Sequence, residues 1–594
     1  GESATRRVGG RVSRGKIISP IHMHSHVFAI QAEGHLPVCF RCDRPAFFPV
    51  NCQFMKVKCS SATGFPESFR HFFAVPFFSC RSNNDQNTRR TGLSRRGKVT
   101  RRKVKGVAAE RSILSRKWIV AALLLAFALV SRISTFGDPA IHTDEAYYFL
   151  VGNMMHDGAV PYVDVWDRKP LGLFVIYYVI AGISSAPLAY QLAATVAATA
   201  TALIVTRIAA RVASPFGALL AGMIYLAALA ALQGIGGQSP VFYNLPIALA
   251  VWLVLRNLTA LDSGRAPAQV YLAMFLCGIA ITIKQTAIAE AIFLGLFAVH
   301  RLRKAGALPW KPALGFVILG AAPFVAIGIG YWAAGHWAEF FHAMVTSNLD
   351  KQGAPISRKL WSIYIMVVSL MPLLLTALLA ALTGLREPPA PPFRAFVLGW
   401  LGAATVGMML VPNFFIHYAL PMASPLAVVS APLLSRPRIG PAFALVVSIF
   451  LLLHGSAFDF QRHRTSIASM NSLAVMMREH SIDGTALVFD APPYLYQMSG
   501  LRPLSPLVFP NHLHQLTEMN VSHIPTAAEL QRIIASRPGV VVLSKRPRVL
   551  MVYQEGWDQV LAYVRNNCRE IGSAQTLEIN RQDTIQVFGD CRQS

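Results

Sequence analysis

Eleven mostly apolar stretches, each close to the length that crosses a lipid bilayer, follow one another between residues 116 and 456. A membrane-spanning helix needs about 20 such residues, because the hydrocarbon core is about 30 Å thick. Open sheets and irregular chain are excluded from contact with lipid, since their backbone amides find no water there. With only 14% of its residues charged, the chain is predicted to be an α-helical polytopic membrane protein. The stretches are residues 116–134, 188–206, 216–233, 240–255, 268–283, 286–300, 313–333, 361–382, 395–412, 417–434 and 440–456.

Most basic residues between these stretches fall in every second loop, with Lys351, Arg358 and Lys359 of the outer loop 334–360 as exceptions, and this alternation predicts an orientation. Short loops rich in Lys and Arg mark the cytoplasmic side of a membrane. The N-terminus is then cytoplasmic, whereas the first outer loop (135–187) and everything after Ala457 lie on the opposite side. The apolar stretch 170–183 is predicted to be an interfacial or re-entrant helix, because counting it as a span would put all the basic loops outside. These basic residues are Arg207, Arg211, Arg256, Arg265, Arg301, Arg303, Lys304, Lys311, Arg386, Arg394, Arg436 and Arg438.

Hydrophilic regions stand at both ends of the transmembrane domain, which is predicted to cover 116–457. The first 117 residues hold 23 of the 55 Lys and Arg residues, and segment 1–115 is expected to be disordered or non-native. Since the positive charge gathers there, nucleic acid is not predicted as a partner. Region 458–594 alternates β-rich runs with helical patterns, which predicts a small C-terminal α/β domain on the outer side. The runs are 485–489, 539–543 and 584–588, and the helical patterns are 527–535 and 557–564.

Cysteine spacing adds two expectations. Cys39 and Cys42 have a spacing that zinc can use, but no second CxxC follows, which favours an unstructured segment over a metal site. Cys568 and Cys591, near the C-terminus, could pair only if this region faces an oxidising compartment.

The first outer loop concentrates charge at the membrane surface. It reads His-Thr-Asp-Glu-Ala-Tyr-Tyr-Phe from His142 and, later, Asp-Arg-Lys-Pro from Asp167. Because charges are costly near hydrocarbon, a functional cluster is one interpretation. Asp144 and Glu145 could share a divalent cation or supply a general base. The alternative is a solvated loop in which Thr143 or Asp144 caps a helix.

Polar residues at the ends of two later spans are predicted to face the same side. Lys284 follows the fifth span, and His417 and Tyr418 open the tenth. Taken singly, Lys284 could simply extend to the interface and His417 could be a satisfied interfacial residue. Together with the acidic pair they supply what a lipid-linked phosphate site needs, which is cations for the phosphate and a carboxylate for the acceptor.

On these residues, the chain from 118 to 591 resembles the GT-C class of membrane glycosyltransferases, within it the protein mannosyltransferase-like and aminoarabinose-transferase-like family. The resemblance implies a GT-C fold, a catalytic or metal-associated Asp144 beside Glu145, and a Lys169 near the lipid phosphate. The other residues carried over as substrate-binding are Tyr147, Asp167, Lys284, His417 and Tyr418. The matching elements are Asp144-Glu145 with Tyr147 and Tyr148, Asp167-Arg-Lys169-Pro170, Gly278 to Lys284-Gln285, and His417-Tyr-Ala-Leu-Pro421.

The second outer loop departs from the family pattern. Gln238, Ser239 and Pro240 stand where relatives commonly have an acid. A divalent metal at Asp144 is therefore left open as a cofactor, and Asp164 or Asp167 would have to complete its ligands.

The function implied by the resemblance is transfer of a sugar from a polyprenyl-phosphate-linked donor to a lipid, glycan or protein acceptor, with inversion at the anomeric carbon. The location implied is the periplasmic face of a bacterial inner membrane. One rival is a transporter or flippase, which would place polar residues near the bilayer midplane and show repeated halves. Another is a catalytically inactive relative that binds without turnover. The charges gather at one face, which favours surface chemistry.

Overall fold

The computed structural model describes residues 117–349, 353, 355–383, 391–411, 413–549, 551–578 and 581–591. The basic segment 1–115 with its Cys39/Cys42 pair lies outside the described residues, as does Arg386.

Helices coincide with all eleven predicted spans, and the chain is a multi-pass membrane protein. Six helices among the described residues are long and apolar enough to cross a membrane, and the other spans are shorter apolar helices. The tenth span starts as a 3-10 turn, Ile416–Met422, which contains Pro421. In chain order the helices are α1 (Lys117–Val130), α2 (Thr143–His156), α3 (Leu171–Ala181), α4 (Pro187–Ala209), α5 (Pro215–Ala231), α6 (Ser239–Arg256), α7 (Leu258–Asp262), α8 (Ala268–Ile283), α9 (Ile288–Lys304), α10 (Trp310–Ala333), α11 (Trp337–Phe341), α12 (Ser347–Leu349), α13 (Ile356–Thr383), α14 (Pro391–Met409), α15 (Ala423–Leu434) and α16 (Ile439–His454).

The first outer loop folds into a pair of helices, α2 and α3. They pack backbone to backbone, since a Cβ atom at Gly152 would lie 2.6 Å from the carbonyl carbon of Tyr177. With 11 residues, α3 is about 17 Å long, shorter than the hydrocarbon core of about 30 Å. It buries Phe174 and Tyr177 and exposes Val179. This length, with one buried and one exposed face, suits the interfacial or re-entrant helix predicted for 170–183.

After α16 the chain forms α17 (Phe460–Glu479) and then a five-stranded sheet of order β2-β1-β3-β5-β4. The first three strands, β1 (Thr485–Asp490), β2 (Arg502–Pro503) and β3 (Val540–Ser544), pair in parallel around β1. The last two, β4 (Arg569–Glu578) and β5 (Arg581–Gly589), are antiparallel, and β5 joins them to β3. The accompanying helices are α18 (Leu495–Ser499), α19 (Asn511–His514), α20 (Thr526–Ala535) and α21 (Gln554–Asn567).

The predicted fold class, a helical membrane protein with a small C-terminal α/β region, is confirmed. Its three β-rich runs become β1, β3 and β5, and its two helical patterns become α20 and α21. Strand β4 was not predicted, because it is a polar edge strand without an apolar alternation.

The C-terminal region packs against the first outer loop. Trp166 of the loop is fully buried in one hydrophobic core with Phe489 and Trp557, and its backbone N–H donates to the Pro506 carbonyl at 2.9 Å. Before α2, the Asp138 carboxylate accepts a hydrogen bond from Ser466 at 2.9 Å and contacts His463 Nδ1 at 2.7 Å. The loop and the C-terminal region are therefore held together at two places.

A disulfide joins Cys568, just before β4, to Cys591, just after β5. The double variant Cys568→Ala/Cys591→Ala is expected to lower the free energy of unfolding of this region by about 3 kcal/mol, because its unfolded chain is no longer closed into a loop. Thermal unfolding of the purified protein by near-UV circular dichroism, with and without reductant, measures the effect. Reductant should lower the Tm of the wild type and leave the double variant unchanged; equal shifts in both would contradict the prediction.

Candidate active site

A cavity of about 1070 Å³ lies where the membrane helices, the first outer loop and the C-terminal region meet. Its polar end is lined by six of the eight predicted site residues, and its other part is an apolar groove between α8, α9 and α10. The six are Asp144, Asp167, Lys169, Lys284, His417 and Tyr418. Residues far apart in the sequence thus converge on one site.

Asp144 lies in the first turn of α2, where the helix dipole favours a negative charge. The helix is capped by His142, whose side chain accepts a hydrogen bond from the Asp144 N–H at 3.2 Å. The N-cap is therefore His142 and not Thr143 or Asp144, the two candidates from the sequence. His417 Nε2 lies 3.9 Å from Asp144 Oδ2. Burial alone would raise the pKa of the Asp144 carboxyl, but the surrounding cations, Lys169 foremost, hold the pKa well below its usual range. Asp144 is therefore an ionised carboxylate facing the cavity.

Lys169 lies in the first outer loop, just before Pro170, the N-cap of α3. Its Nζ atom lies 3.5 Å from Asp167 Oδ2 and faces the ring of Phe509, 5.9 Å from the centroid. The backbone around it is held as well, because its N–H donates to Asp167 Oδ1 at 3.1 Å and its carbonyl accepts from Tyr162 at 2.8 Å. The ammonium group is thus positioned at the cavity wall by contacts on both sides.

Lys284 stands in an extended backbone conformation between the end of α8 and a 3-10 turn, Gln285–Ala287. Its Nζ atom lies 4.2 Å from the centroid of the Tyr418 ring, a cation–π geometry. Burial, and after it the repulsion from Lys169, lowers the pKa of Lys284 to about 7, although Asp144 acts in the opposite direction. Lys284 is therefore a cation whose charge changes near neutral pH.

Glu145 and Tyr147, which the resemblance also placed in the site, do not line the cavity. Successive helical residues point about 100° apart, so Glu145 turns away from Asp144 and is fully buried. Burial raises the pKa of Glu145 to about 8, against the opposing effect of the backbone N–H of Gly237. The Tyr147 hydroxyl donates to the Trp166 carbonyl at 2.9 Å inside the protein. This placement makes both residues supports of the loop rather than groups in reach of a substrate.

The donor set around Asp144 does not suit a divalent cation. Among the described residues, no three His, Cys, Asp or Glu side chains are grouped to hold a metal ion. Asp144 instead faces the ammonium groups of Lys169 and Lys284, Asp167 contacts Lys169, and Asp164 accepts from the Val160 N–H at 2.8 Å in an exposed part of the loop. Asp164 and Asp167, the substitute ligands that the sequence suggests, are thus engaged elsewhere.

The C-terminal region supplies cavity residues that the sequence had not indicated. Arg548 pairs with Glu578, which also accepts a hydrogen bond from Thr143 at 2.5 Å. Arg168 of the loop pairs with Glu518. Thr143 and Glu578 are 435 residues apart, so no local pattern could have linked them. Arg168 could have been found from the sequence, because it lies between the predicted site residues Asp167 and Lys169.

The fold is similar to that of known membrane glycosyltransferases. ArnT from Cupriavidus metallidurans bound to undecaprenyl phosphate is 13% identical, with a TM-score of 0.51 over 79% of this chain and 98% of ArnT. Its apo state is 12% identical, with a TM-score of 0.54 over 79% of this chain and 97% of ArnT. The Archaeoglobus fulgidus oligosaccharyltransferase, tethered with an acceptor peptide, is 13% identical and has a TM-score of 0.42 over 72% of this chain and 69% of its own. No protein-family model and no curated protein matches this sequence. The likeness to ArnT shows that the chain has the GT-C fold.

Proposed function

We propose that this GT-C chain transfers a sugar from a polyprenyl-phosphate-linked donor to an acceptor on the outer face of a bacterial inner membrane. One observation carries the proposal: the cavity joins a cation-lined head, beside an ionised carboxylate, to an apolar groove among membrane helices. An amphiphile with a phosphate head and a long hydrocarbon tail matches this lining. ArnT, which shares the fold, binds undecaprenyl phosphate.

The groove is long enough for several isoprene units. On α9 it is lined from Ile288 to Val299, which corresponds to about 17 Å along a helix axis. Phe316 and Phe324 of α10 and Met274 of α8 form other parts of its wall. Each tail methylene buried there contributes about 0.8 kcal/mol relative to water, so the groove favours a lipid-linked over a nucleotide-linked donor.

The outer location rests on two independent features. Basic loops alternate along the chain in the pattern of a cytoplasmic N-terminus. A disulfide lies in the C-terminal region, and such bonds persist in oxidising compartments such as the bacterial periplasm.

The proposed reaction is a single displacement that inverts the anomeric carbon. The acceptor hydroxyl oxygen bonds to this carbon while the bond from the carbon to the phosphate oxygen breaks. Asp144 accepts a hydrogen bond from the hydroxyl, orients it, and takes its proton as the new bond forms. Lys169 and Lys284 stabilise the negative charge that grows on the departing polyprenyl phosphate, an electrostatic effect that is strong where water is excluded. The products are the glycosylated acceptor and polyprenyl monophosphate.

Incubation of the protein, reconstituted in lipid vesicles, with radiolabelled undecaprenyl-phosphate sugars and a crude bacterial envelope fraction as acceptor source tests this proposal. Release of undecaprenyl phosphate together with labelled acceptor is expected. Binding of the donor without turnover would point to an inactive relative, and movement of intact donor across the bilayer would point to a flippase.

Filling the groove should block the lipid tail. A Cβ at Gly295 meets only Met274 Sδ, at 3.8 Å, so Gly295→Trp is expected to place its ring in the groove and weaken undecaprenyl phosphate binding by at least about tenfold, the equivalent of about two buried methylenes. Gly330→Trp on α10 is the matched control, because nothing lies within 4 Å of a Cβ there and Gly330 does not line the cavity. The affinity of both variants for labelled undecaprenyl phosphate is the measurement. Equal affinities would contradict the location of the lipid tail in the groove.

The rate of transfer should fall as the pH rises above about 7. Lys284, which faces Lys169, Asp144, Tyr418 and His417, has a pKa lowered to about 7 and loses its charge above that pH. If the charge acts on the leaving phosphate, kcat/KM, which reports ionisations of the free enzyme, declines towards about tenfold per pH unit. Lys284→Arg, which keeps its charge to pH 12 and beyond, should remove this decline. A profile of kcat/KM between pH 5.5 and 9 measures it, and identical profiles in the two proteins would exclude Lys284 as the titrating group.

A further inference from the structure

One segment of the C-terminal region forms a polar wall of the cavity opposite the membrane groove. Asn511 and His512 of α19, Gln515 just after it and Glu518 of the following turn all line the cavity. His512 and Glu518 are at least nine-tenths buried, so this is an interior surface. We name these four residues the polar wall.

The polar wall is fixed to the part of the outer loop that carries Lys169. Arg168 pairs with Glu518, and the Phe509 ring, two residues before Asn511, lies beside the Lys169 ammonium group. The Trp166 ring also packs edge to face on His512, with centroids 4.9 Å apart. A group bound to Lys169 is therefore close to this wall.

The direction of the donor follows from its covalent structure. A polyprenyl-phosphate sugar is a phosphodiester, with the lipid on one phosphate oxygen and the sugar on another. With the phosphate at Lys169 and Lys284 and the tail in the groove, the sugar extends away from the membrane helices. On that side the cavity is lined by the C-terminal region.

The chemistry of the wall suits an uncharged ring with several hydroxyl groups. The charged groups on this side already have partners: Arg168 pairs with Glu518, Arg548 with Glu578 and Asp583, and Asp490 with His514. Asn511 donates to Gln515 Oε1 at 2.8 Å, and Gln515 donates to Thr517 at 2.8 Å. A carboxamide has two N–H donors and an oxygen with two lone pairs, so each amide retains capacity to bond sugar hydroxyls.

We propose that the polar wall is a sugar-recognition subsite, in which Asn511 and Gln515 bind the hydroxyls of an uncharged donor sugar and thereby determine donor specificity. The inference rests on the proposed function, since it takes the phosphate position from it. It assigns recognition to the C-terminal region and leaves the reaction itself to the first outer loop and the membrane helices.

Binding measurements on the full-length protein in nanodiscs test the subsite separately from the reaction. The probes are undecaprenyl phosphate, undecaprenyl-phosphate glucose, the corresponding glucuronate and a corresponding amino sugar. The wild type is expected to bind the glucose lipid at least about tenfold more tightly than the sugar-free lipid, and more tightly than either charged sugar lipid. Asn511→Ala and Gln515→Ala should each reduce the affinity for the glucose lipid about fivefold, the equivalent of a lost neutral hydrogen bond, and leave undecaprenyl phosphate binding unchanged.

Gln554→Ala is the matched control, because Gln554 is an exposed amide of the same region that does not line the cavity. Retained binding of undecaprenyl phosphate shows that each variant is folded, and the shorter amide in Gln515→Asn provides a second test of the contact. An unchanged ratio of glucose-lipid to sugar-free affinity in both alanine variants would overturn the subsite, and preference for a charged sugar would overturn the choice of an uncharged one. If the wild type fails to bind undecaprenyl phosphate at all, the proposed function itself falls.

Discussion

Asp144→Asn is expected to lower the rate of sugar transfer about 10²- to 10⁴-fold, the contribution of a positioned general base. Asparagine has nearly the same shape, but its neutral amide cannot take the proton of the acceptor hydroxyl. The substitution also removes a negative charge from a group of cations, so binding of undecaprenyl phosphate should persist or strengthen. Single-turnover transfer from a labelled donor, with donor affinity measured in parallel, separates the chemical step from binding.

Asp164→Asn is the control for this variant. Asp164 lies in the same outer loop but is exposed and bonds the backbone of Val160, so its variant should transfer sugar at close to the wild-type rate. Full transfer by Asp144→Asn would remove Asp144 from the mechanism. An equal loss in both variants would indicate that the loop, rather than the carboxylate at its centre, had been damaged.

Lys169→Gln is expected to lower kcat about 10²- to 10³-fold, comparable to the loss of one preorganised donor to a developing negative charge. The phosphate carries more charge as it departs than while it is esterified to the sugar, so the ammonium group acts more strongly on the transition state. A smaller weakening of donor binding should accompany the loss of kcat. Steady-state kinetics of transfer measures both quantities.

The matched control for this charge is Lys545→Gln, an exposed lysine of the C-terminal region outside the cavity lining. It should leave kcat and KM unchanged. A rise in KM at constant kcat in Lys169→Gln would mean that Lys169 binds donor and transition state equally, and the leaving-group role would then be wrong.

The candidate site could be predicted in part, because some of its residues carry a signal of their own. Charges beside hydrocarbon are costly, so Asp144, Lys169 and Lys284 stood out at the ends of apolar runs. Glu145 carried the same signal but points away from the cavity, since sequence adjacency on a helix separates two side chains by about 100°. Asn511 and Gln515 carried none, because polar residues are ordinary in a soluble region.

The apolar stretches along the chain determined that it spans a membrane many times, and the alternation of basic loops predicted which side its charges face. Both are local properties, because each helix must satisfy its own backbone and match the bilayer thickness alone. Only the tertiary structure decided which side chains meet. The pairing of Thr143 with Glu578, the burial of Trp166 in the C-terminal core and the polar wall of the cavity all depend on contacts between distant segments. Such contacts follow from how helices and sheet pack together, which no single stretch of sequence encodes.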